Sequence, residues 1–266
     1  MRDHQRRARI YLPTSDARLI ALDAQTSKIC PGFGDNGTVN PWANMPNQKG
    51  GFYYSTSPPT VVNDLIIIGG SVNDNYDVKS PSGVIRAYDA STGALDWAWD
   101  SGNPDRTTPL APGETYTANS PNSWSVFSAD PELGLVYIPL GNATPDQFGG
   151  NRSPAVERFS SSVVALDIAS GAVRWVRQTV HHDLWDMDVP AQPVLVELTT
   201  SQGAVPALVQ ATKQGDMTRK AHHGSIKRGG AYSVYFPYVW TFCSQPGNKP
   251  LKLLARPRGI EPRFSP

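Results

Sequence analysis

The sequence predicts an all-β protein, and two observations lead to that prediction. Of its 266 residues, 23 are glycine and 24 are proline, and both residue types are unfavourable inside helices. A strand–turn–strand pattern also occurs three times along the chain, around Asp23, Asp89 and Asp167. Because internal repeats set the architecture of a whole domain, we infer a repetitive β fold.

Each repeat reads as a strand, a tight turn that begins with aspartate, and a second strand. The two complete copies carry the turn Asp-x-x-Ser/Thr-Gly, whereas the first copy has Ser27 in place of the glycine. The aspartate of such a turn can accept hydrogen bonds from the backbone amides ahead of it, and glycine readily takes the positive φ that closes a hairpin. The repeats are therefore predicted to be hairpins.

The spacing of the repeats fits the blades of a β-propeller. The three aspartates are separated by 66 and 78 residues, and a four-stranded blade needs about 40, so each interval can hold one blade with long insertions. Trp97 and Trp175 each follow the turn glycine by four residues, where their rings can dock one blade against the next. Three hairpins in an ordinary β-sandwich are the alternative, but the shared tryptophan favours a partial propeller.

The net charge of +1 conceals two very different parts of the chain. Residues 217–266 hold nine Lys and Arg and one acidic residue, whereas residues 1–216 hold 15 basic and 22 acidic residues. A basic tail can bind nucleic acid. Here, however, six aromatic residues between positions 232 and 242 lie in a stretch without basic residues, and we expect no nucleic-acid partner.

Cysteine content and hydropathy argue against two other classes of protein. With only Cys30 and Cys243, the chain has no disulfide framework and no spacing typical of structural zinc. No stretch approaches the roughly 18 apolar residues of a membrane span, and residues 65–68 are a run of strand length. The sequence therefore predicts no membrane crossing.

Residues that can carry chemistry are concentrated in the insertions, above all in residues 181–188. Five titratable side chains occur within these eight positions. A metal site, a general base with its supporting residues, and a solvated acidic turn are all compatible with this composition. On spacing alone the solvated turn is favoured, because His181 and His182 would point to opposite sides of an extended chain and could not chelate one ion together.

Residues 119–124 and 179–188, with the Asp-x-x-Ser/Thr-Gly…Trp repeats, closely resemble the pyrroloquinoline quinone (PQQ)-dependent dehydrogenases. The resemblance covers roughly residues 9–216 and is strongest to the membrane-bound glucose dehydrogenase branch. It implies an eight-bladed propeller that holds PQQ and calcium near its axis, on the periplasmic side of the inner membrane. The implied reaction is oxidation of an aldose such as glucose, with electrons passed to a membrane quinone.

The resemblance also implies roles for individual residues. Asp186 matches the catalytic aspartate, whose carboxylate can accept the hydroxyl proton of the substrate. Lys213 matches the cation beside the quinone oxygens, where an ammonium group stabilises charge on the reduced cofactor. Trp124 matches the tryptophan that forms one face of the PQQ pocket. The alternatives are a solvated surface position for Lys213 and simple core packing for Trp124.

A calcium ion prefers oxygen ligands, and the resemblance implies Asn142 as an amide ligand with Asp186 sharing the ion. Asp74 and Asn75 match a polar pair near the same site, although a tight turn explains them equally well. The two adjacent histidines of residues 181–188 are expected to support the loop rather than to bind metal.

Two departures from the family pattern limit what we expect of this chain. The membrane anchor and the first part of the propeller are missing, and the pattern ends after Asp216, where the composition changes abruptly. We therefore predict a partial propeller domain over residues 1–216, with little or no turnover alone. Residues 217–266 are predicted to be a poorly ordered, irregular basic tail, translated out of frame. A quinate- or polyol-oxidising enzyme and a non-catalytic scaffold propeller are the alternatives.

Overall fold

Antiparallel strands make up nearly all the regular structure of the protein in this computed structural model. The structure describes residues 8–200, 203–215, 217–221 and 233–234, which all belong to one compact unit, Met1–Tyr235. The strands of the described part are β1 (Arg9–Pro13), β2 (Leu19–Asp23), β3 (Thr38–Val39), β4 (Tyr53–Tyr54), β5 (Thr60–Val62), β6 (Leu65–Ile68), β7 (Ser71–Val72), β8 (Ile85–Asp89), β9 (Leu95–Trp99), β10 (Ser128–Asp130), β11 (Leu135–Pro139), β12 (Ser162–Asp167), β13 (Val173–Gln178), β14 (Val194–Thr200), β15 (Gly203–Ala211), β16 (Met217–Ala221) and β17 (Ser233–Val234). A six-residue helix, α1 (Pro154–Phe159), precedes β12.

Three sheets have the four-stranded order expected of propeller blades. Their orders are β5-β6-β8-β9, β10-β11-β12-β13 and β14-β15-β16-β17. A three-stranded sheet, β1-β2-β3, precedes them, and β4 pairs with β7 in a two-stranded ribbon. In each blade, neighbouring strands follow one another along the chain and are antiparallel; the one interruption is β7, which is inserted between β6 and β8. This arrangement confirms the predicted partial β-propeller.

The repeated aspartate turns share one set of hydrogen bonds. Asp89 Oδ1 accepts from the backbone N–H of Ser91 and Thr92, at 3.0 and 2.7 Å, and from the Thr92 hydroxyl at 2.8 Å. The equivalent three contacts occur at Asp23 and at Asp167. The aspartate therefore satisfies the backbone amides of its own turn, as the sequence predicts.

The fifth position of each turn has a left-handed backbone. Gly93 and Gly171 have φ of +73° and +69°, and Ser27 adopts the same conformation with φ of +56°. A residue with a side chain is strained there by about 1–2 kcal/mol. The first repeat thus keeps the geometry of the others despite its serine.

The aromatic residue of one blade docks on the turn of the next blade. Trp97 Nε1 donates a hydrogen bond to the carbonyl of Ile168 at 2.8 Å, and a Cβ built on Gly171 would lie 2.6 Å from the Trp97 ring. Phe33 has the corresponding position in the first sheet, 3.2 Å from a Cβ built on Gly93. The predicted docking role of Trp97 is confirmed, and glycine is required in the turn because the ring covers it.

Replacing Gly171 by alanine is expected to lower the free energy of unfolding by about 2–4 kcal/mol, since the strain of a left-handed alanine adds to displacement of the Trp97 ring. Urea denaturation of the chain measures the loss. Gly134→Ala is the matched control, because Gly134 has φ of +66° and no atom within 4 Å of its built Cβ. Equal losses in the two variants would contradict a stabilising role for the ring contact.

The largest hydrophobic core lies between the sheets β5-β6-β8-β9 and β10-β11-β12-β13. The rings of Trp99 and Phe159 meet edge to face in this core, with centroids 5.0 Å apart. The core fixes the two blades against each other, and with them the loops that leave their ends.

Long insertions collect at one end of the blades. In an up-and-down sheet, the connection from the second to the third strand and the exit from the fourth strand leave at the same end. Residues 100–127, 140–161 and 179–193 form connections of these kinds, between β9 and β10, β11 and β12, and β13 and β14. The turns at Asp89 and Asp167 join third and fourth strands, so they lie at the opposite end. The Asp23 turn lies at this end too, because Arg9, which pairs with Asp23, donates to carbonyls of the Asp89 turn.

The predicted boundary between residues 216 and 217 falls inside the last four-stranded sheet. Strand β16 pairs with β15, and β17 pairs with β16. Most of residues 217–266 lie outside the described residues, so their poor order and out-of-frame origin stay predictions. Among the described residues, no helix has the length and the apolar composition of a membrane span.

Candidate active site

A cavity of about 240 Å³ lies where the long insertions meet. Its walls come from six connections of the fold and from strand β7. The lining residues are Thr56, Ser71, Val72, Asp74, Asn122, Trp124, Asp146, Asp186, Asp188 and Lys213. Four of these, Asp74, Trp124, Asp186 and Lys213, are among the residues that the sequence singles out. The fold therefore gathers residues from distant parts of the chain around one space.

Asp186 and Lys213 meet in this cavity although they are 27 positions apart in the sequence. Lys213 Nζ donates a hydrogen bond to the Asp186 carbonyl oxygen at 2.8 Å and lies 3.4 Å from Asp186 Oδ1. Asp186 has a left-handed backbone with φ of +58°, which is uncommon for a residue other than glycine. Both side chains are about one-third exposed, at 33% for Lys213 and 32% for Asp186, so each is accessible from the cavity.

The orientation of Trp124 is fixed at both its side chain and its backbone. The indole Nε1 donates to Asp188 Oδ2 at 2.8 Å. The Trp124 carbonyl accepts hydrogen bonds from the hydroxyl groups of Thr56 and Ser57, at 2.6 and 2.7 Å. A half-buried aromatic ring held in this way presents a flat apolar surface to the cavity.

Three carboxylates form a cluster on the cavity wall. Asp146, Asp186 and Asp188 each have an oxygen within 4.8 Å of the others. Asp146 Oδ2 and Asn122 Oδ1 are buried and have no hydrogen-bond partner among the described residues. A cation with several open coordination positions would satisfy such oxygens, because calcium binds six to eight oxygen ligands.

Burial and mutual repulsion change the acidity of this cluster. Burial, reinforced by the negative charges of Asp188, Asp74 and Asp186, raises the pKa of Asp146 to about 8. Burial also raises the pKa of Asp188, although the hydrogen bond from Trp124 opposes that effect. Without a cation, the cluster therefore retains a proton near neutral pH.

The stability of the metal-free chain is expected to fall as pH rises. The carboxyl group of Asp146 has a pKa of about 8 in the folded chain, compared with about 3.9 in an unfolded chain, so the folded state binds more protons between these values. The free energy of unfolding then decreases across this range, by at most about 1.4 kcal/mol per pH unit for one group. Urea unfolding in EDTA at several pH values gives the change in the free energy of unfolding with pH. The difference in this slope between the unmodified chain and Asp146→Asn is the contribution of the Asp146 carboxyl group.

The control for this prediction is Asp16→Asn. Asp16 is an exposed carboxyl group whose pKa is lowered, mainly by a hydrogen bond from Thr14, so it titrates below the range in question. Its removal should leave the slope unchanged. An Asp146→Asn chain that kept the full slope would show that Asp146 ionises normally in the fold.

Asp183 organises the loop that carries Asp186. It is fully buried, and its carboxylate accepts from the backbone N–H of Trp185 at 2.9 Å, from that of Met187 at 2.7 Å and from the Ser161 hydroxyl at 2.5 Å. These hydrogen bonds hold the residues on both sides of Asp186. The solvated-turn interpretation of residues 181–188 is therefore wrong for Asp183, which is a structural residue of the interior.

The two histidines of this run lie away from the carboxylate cluster. His181 Nδ1 is 2.9 Å from Gln178 Oε1, and His182 Nδ1 is 3.4 Å from Glu157 Oε1. Both histidines are exposed, and neither lines the cavity. These contacts agree with the expectation that they support the loop.

Two of the predicted cofactor and metal ligands, Asn75 and Asn142, do not line the cavity. Asn75 Oδ1 accepts from the backbone N–H of Gln147 at 3.3 Å and so joins two of the surrounding loops. Asn142 is completely buried behind the carboxylate cluster, where its backbone N–H donates to Asp188 Oδ1 at 2.6 Å. The metal-binding role of Asn142 and the cofactor-binding role of Asn75 stay predictions.

Sequence reasoning did not identify Asp146 or Asp188 as part of the site. Asp188 carries a signal, since it follows Asp186 by two positions in the same acidic run. Asp146 lies four positions after Asn142 in an insertion whose sequence does not show where it folds. Only the fold reveals that both carboxylates face the same cavity.

Comparison with known proteins shows what this chain is similar to. The PQQ family described as "Glucose/ethanol/alcohol dehydrogenase, beta-propeller domain" matches residues 1–218. Quinoprotein glucose dehydrogenase of Escherichia coli (strain K12) is 46% identical over 209 residues, which are 79% of this chain and 26% of that protein. Quinate/shikimate dehydrogenase (quinone) of Acinetobacter baylyi is 45% identical over 209 residues, 78% of this chain and 26% of that protein. The chain spans about a quarter of the length of these relatives.

The chain is also similar in structure to a solved quinohemoprotein dehydrogenase. The crystal structure of quinohemoprotein alcohol dehydrogenase from Comamonas testosteroni superposes with a TM-score of 0.63 and 26% sequence identity, over 80% of this chain and 32% of that one. The resemblance inferred from the motifs of residues 119–124 and 179–188 is therefore confirmed.

Proposed function

Because the chain belongs to the PQQ-dependent glucose/ethanol/alcohol dehydrogenase family, we propose that its cavity serves the PQQ-dependent oxidation of an aldose sugar such as glucose. One observation carries this proposal. Asp186, Lys213 and Trp124 come from three separate connections and border a single cavity, with Lys213 Nζ 2.8 Å from the Asp186 carbonyl oxygen. A non-catalytic scaffold has no need for this convergence.

The residues of the cavity fit a planar, anionic quinone. Trp124 provides an indole ring whose orientation is fixed by Asp188, and an aromatic ring stacks favourably on a flat cofactor. Lys213 provides a cation at the same cavity, suited to quinone oxygens that become negative on reduction. When bound, PQQ would supply the acceptor for the hydride of the substrate. Asp74 and Asn75 are proposed to support the cofactor from the neighbouring loop.

The carboxylate cluster fits a hard divalent cation, and we propose calcium. The oxygens of Asp146, Asp186 and Asp188 are already grouped within 4.8 Å, and the unpartnered Asp146 Oδ2 offers a free ligand atom. Asn142 is proposed to share the ion through its side-chain Oδ1. This oxygen accepts one hydrogen bond, from the Ala143 backbone N–H at 3.0 Å, and an amide oxygen has a second lone pair for a metal.

The chain's own residues then have distinct tasks in the reaction. The carboxylate of Asp186 would accept the proton of the substrate hydroxyl group, as a positioned general base does. Lys213 holds Asp186 chiefly through the backbone carbonyl, at 2.8 Å, and also lies 3.4 Å from its Oδ1. Asp183 keeps the loop in register by binding the amides of Trp185 and Met187.

The proposal also covers the substrate, the electron acceptor and the location of the enzyme. A glucose-like aldose is the first candidate, and the quinate/shikimate dehydrogenase relative, which is 45% identical, makes a cyclic alcohol the second. We propose a membrane quinone as the electron acceptor and the periplasmic side of the inner membrane as the location, as in the glucose dehydrogenases that the sequence resembles.

A chimera provides the test, because the chain spans about a quarter of its relatives' length. Residues 9–216 would replace the matching segment of the E. coli glucose dehydrogenase, and dye reduction would be followed with PQQ, calcium and a panel of glucose, quinate and glycerol. Turnover of one substrate supports the enzyme and identifies its class. A folded chimera that binds PQQ but oxidises none of them would overturn the proposal.

A further inference from the structure

We infer that Arg152 is a positioning residue that sets the distance between the two loops of the carboxylate cluster. The inference rests on the proposed function, because it concerns the cation site proposed there. One loop, between β11 and β12, carries Asp146, and the other, between β13 and β14, carries Asp186 and Asp188. A cation site of three carboxylates works only if these loops are held at a fixed separation.

The guanidinium group of Arg152 bridges the two loops directly. Its Nη1 donates to the Asp183 carbonyl oxygen at 2.7 Å, and its Nη2 donates to the Asp146 carbonyl oxygen at 3.0 Å. The side chain is only 3% exposed, so water does not compete for these hydrogen bonds. A planar guanidinium with donors in a fixed fork is suited to hold two acceptors at a defined distance.

Asn142 binds the same two carbonyl groups from another position. Its Nδ2 donates to the Asp146 oxygen at 2.8 Å and to the Asp183 oxygen at 3.0 Å. Arg152 and Asn142 therefore donate to the same two carbonyl oxygens, and together they fix the distance between the two loops. One carbonyl belongs to Asp146, a member of the cluster, and the other to Asp183, three positions before Asp186.

Arg152 forms its ion pair with a residue outside the carboxylate cluster. Its Nη1 lies 3.6 Å from Glu157 Oε2, on α1, and among the described residues its ion pair is with Glu157 rather than with a carboxylate of the cluster. Arg152 therefore acts on Asp146, Asp186 and Asp188 through the backbone, and not as their counter-charge.

The probe for this role is Tb³⁺, which prefers oxygen ligands as Ca²⁺ does. Terbium luminescence would be excited through tryptophan, since the Trp124 indole is hydrogen-bonded to Asp188 within the site. Arg152→Lys keeps the charge but loses the fork, and Arg152→Met removes both. Arg158→Met is the matched control, because Arg158 is an exposed arginine nearby on α1, which begins two residues after Arg152.

We expect Arg152→Lys and Arg152→Met to weaken Tb³⁺ binding by about 10- to 100-fold, the range found when residues that orient metal ligands are replaced. Arg158→Met should bind within roughly twofold of the unmodified chain. Luminescence lifetimes in H₂O and D₂O should also show more water on the bound ion in the Arg152 variants. A general loss of stability would not add water to the ion.

The outcomes separate this inference from the proposal on which it rests. If the unmodified chain shows no saturable Tb³⁺ emission, the cation site fails, and the inference fails with it. If the chain binds Tb³⁺ and folded Arg152→Lys binds equally well, only the positioning role is overturned. Arg152→Lys keeps a positive charge near Glu157 and is expected to fold. If it does not fold, Arg152 is a determinant of folding and the inference is likewise overturned.

Discussion

Replacing Asp186 by asparagine is expected to lower kcat of the cofactor-loaded chimera by about 10²- to 10⁴-fold, the contribution of a positioned general base. An amide has nearly the shape of a carboxylate but cannot accept the proton of the substrate hydroxyl group. The hydrogen bond from Lys213 to the backbone carbonyl of residue 186 does not depend on the side chain, so the loop should keep its position. Dye reduction at saturating sugar and calcium measures the loss.

The control for this substitution is Asp96→Asn, on the exposed face of β9. It makes the same chemical change away from the cavity, so kcat should be unchanged. Because Asp186 is also a proposed ligand, calcium is kept saturating in order that weaker metal binding does not lower kcat. An Asp186→Asn chimera that retained more than about a tenth of the activity would exclude Asp186 as the base.

The fold could be predicted because its signals are local. Asp89 and Asp167 hydrogen-bond to amides two and three positions ahead, so the sequence alone contains the whole of each turn. The docking tryptophan Trp97 also lies at a fixed distance from its turn. Phe33 shows the limit of this reasoning. It docks on the turn glycine Gly93 of the next blade although it is not a tryptophan, and the turn of its own repeat has Ser27 in place of glycine.

The site could be predicted only in part, because its residues meet through tertiary packing. The pairing of Asp186 with Lys213 spans 27 positions, and it was the family resemblance, not any periodic pattern, that linked them. Asp146 was missed because its burial and its raised pKa arise from neighbours in other loops, among them Asp188 and Asp74. The local sequence of its insertion contains neither neighbour.

Asp183 illustrates how the same limitation affects the interpretation of charge. Four acidic or basic neighbours in a short run indicate a solvated turn when only composition is known. In the structure, Asp183 is buried because it has hydrogen-bond donors from Ser161 and from its own loop. A carboxylate with such partners is stable in the interior, whereas the adjacent His182 remains at the surface.

Replacing Lys213 by methionine is expected to lower kcat of the loaded chimera by about 10²- to 10³-fold, the loss seen when one donor to a developing negative charge is removed. Methionine keeps most of the length and apolar stem of lysine but cannot donate a hydrogen bond. Lys213 is 33% exposed, so its ion pair with Asp186 contributes little to folding. The change should therefore appear in kcat, with the thermal unfolding temperature nearly unchanged.

Two further variants identify the origin of this effect. Lys213→Arg retains a positive donor that can reach the Asp186 carbonyl oxygen, and it should restore part of the activity, whereas Lys28→Met, next to the aspartate turn at the other end of the blades, should have no effect. If Lys213→Met raised KM for the sugar and left kcat intact, Lys213 would bind substrate rather than stabilise the reduced quinone. The carbonyl contact of 2.8 Å would then serve only to hold the loop of Asp186. Because Lys213 is the only basic residue among the described residues that line the cavity, the cation beside the quinone would have to come from outside this part of the chain.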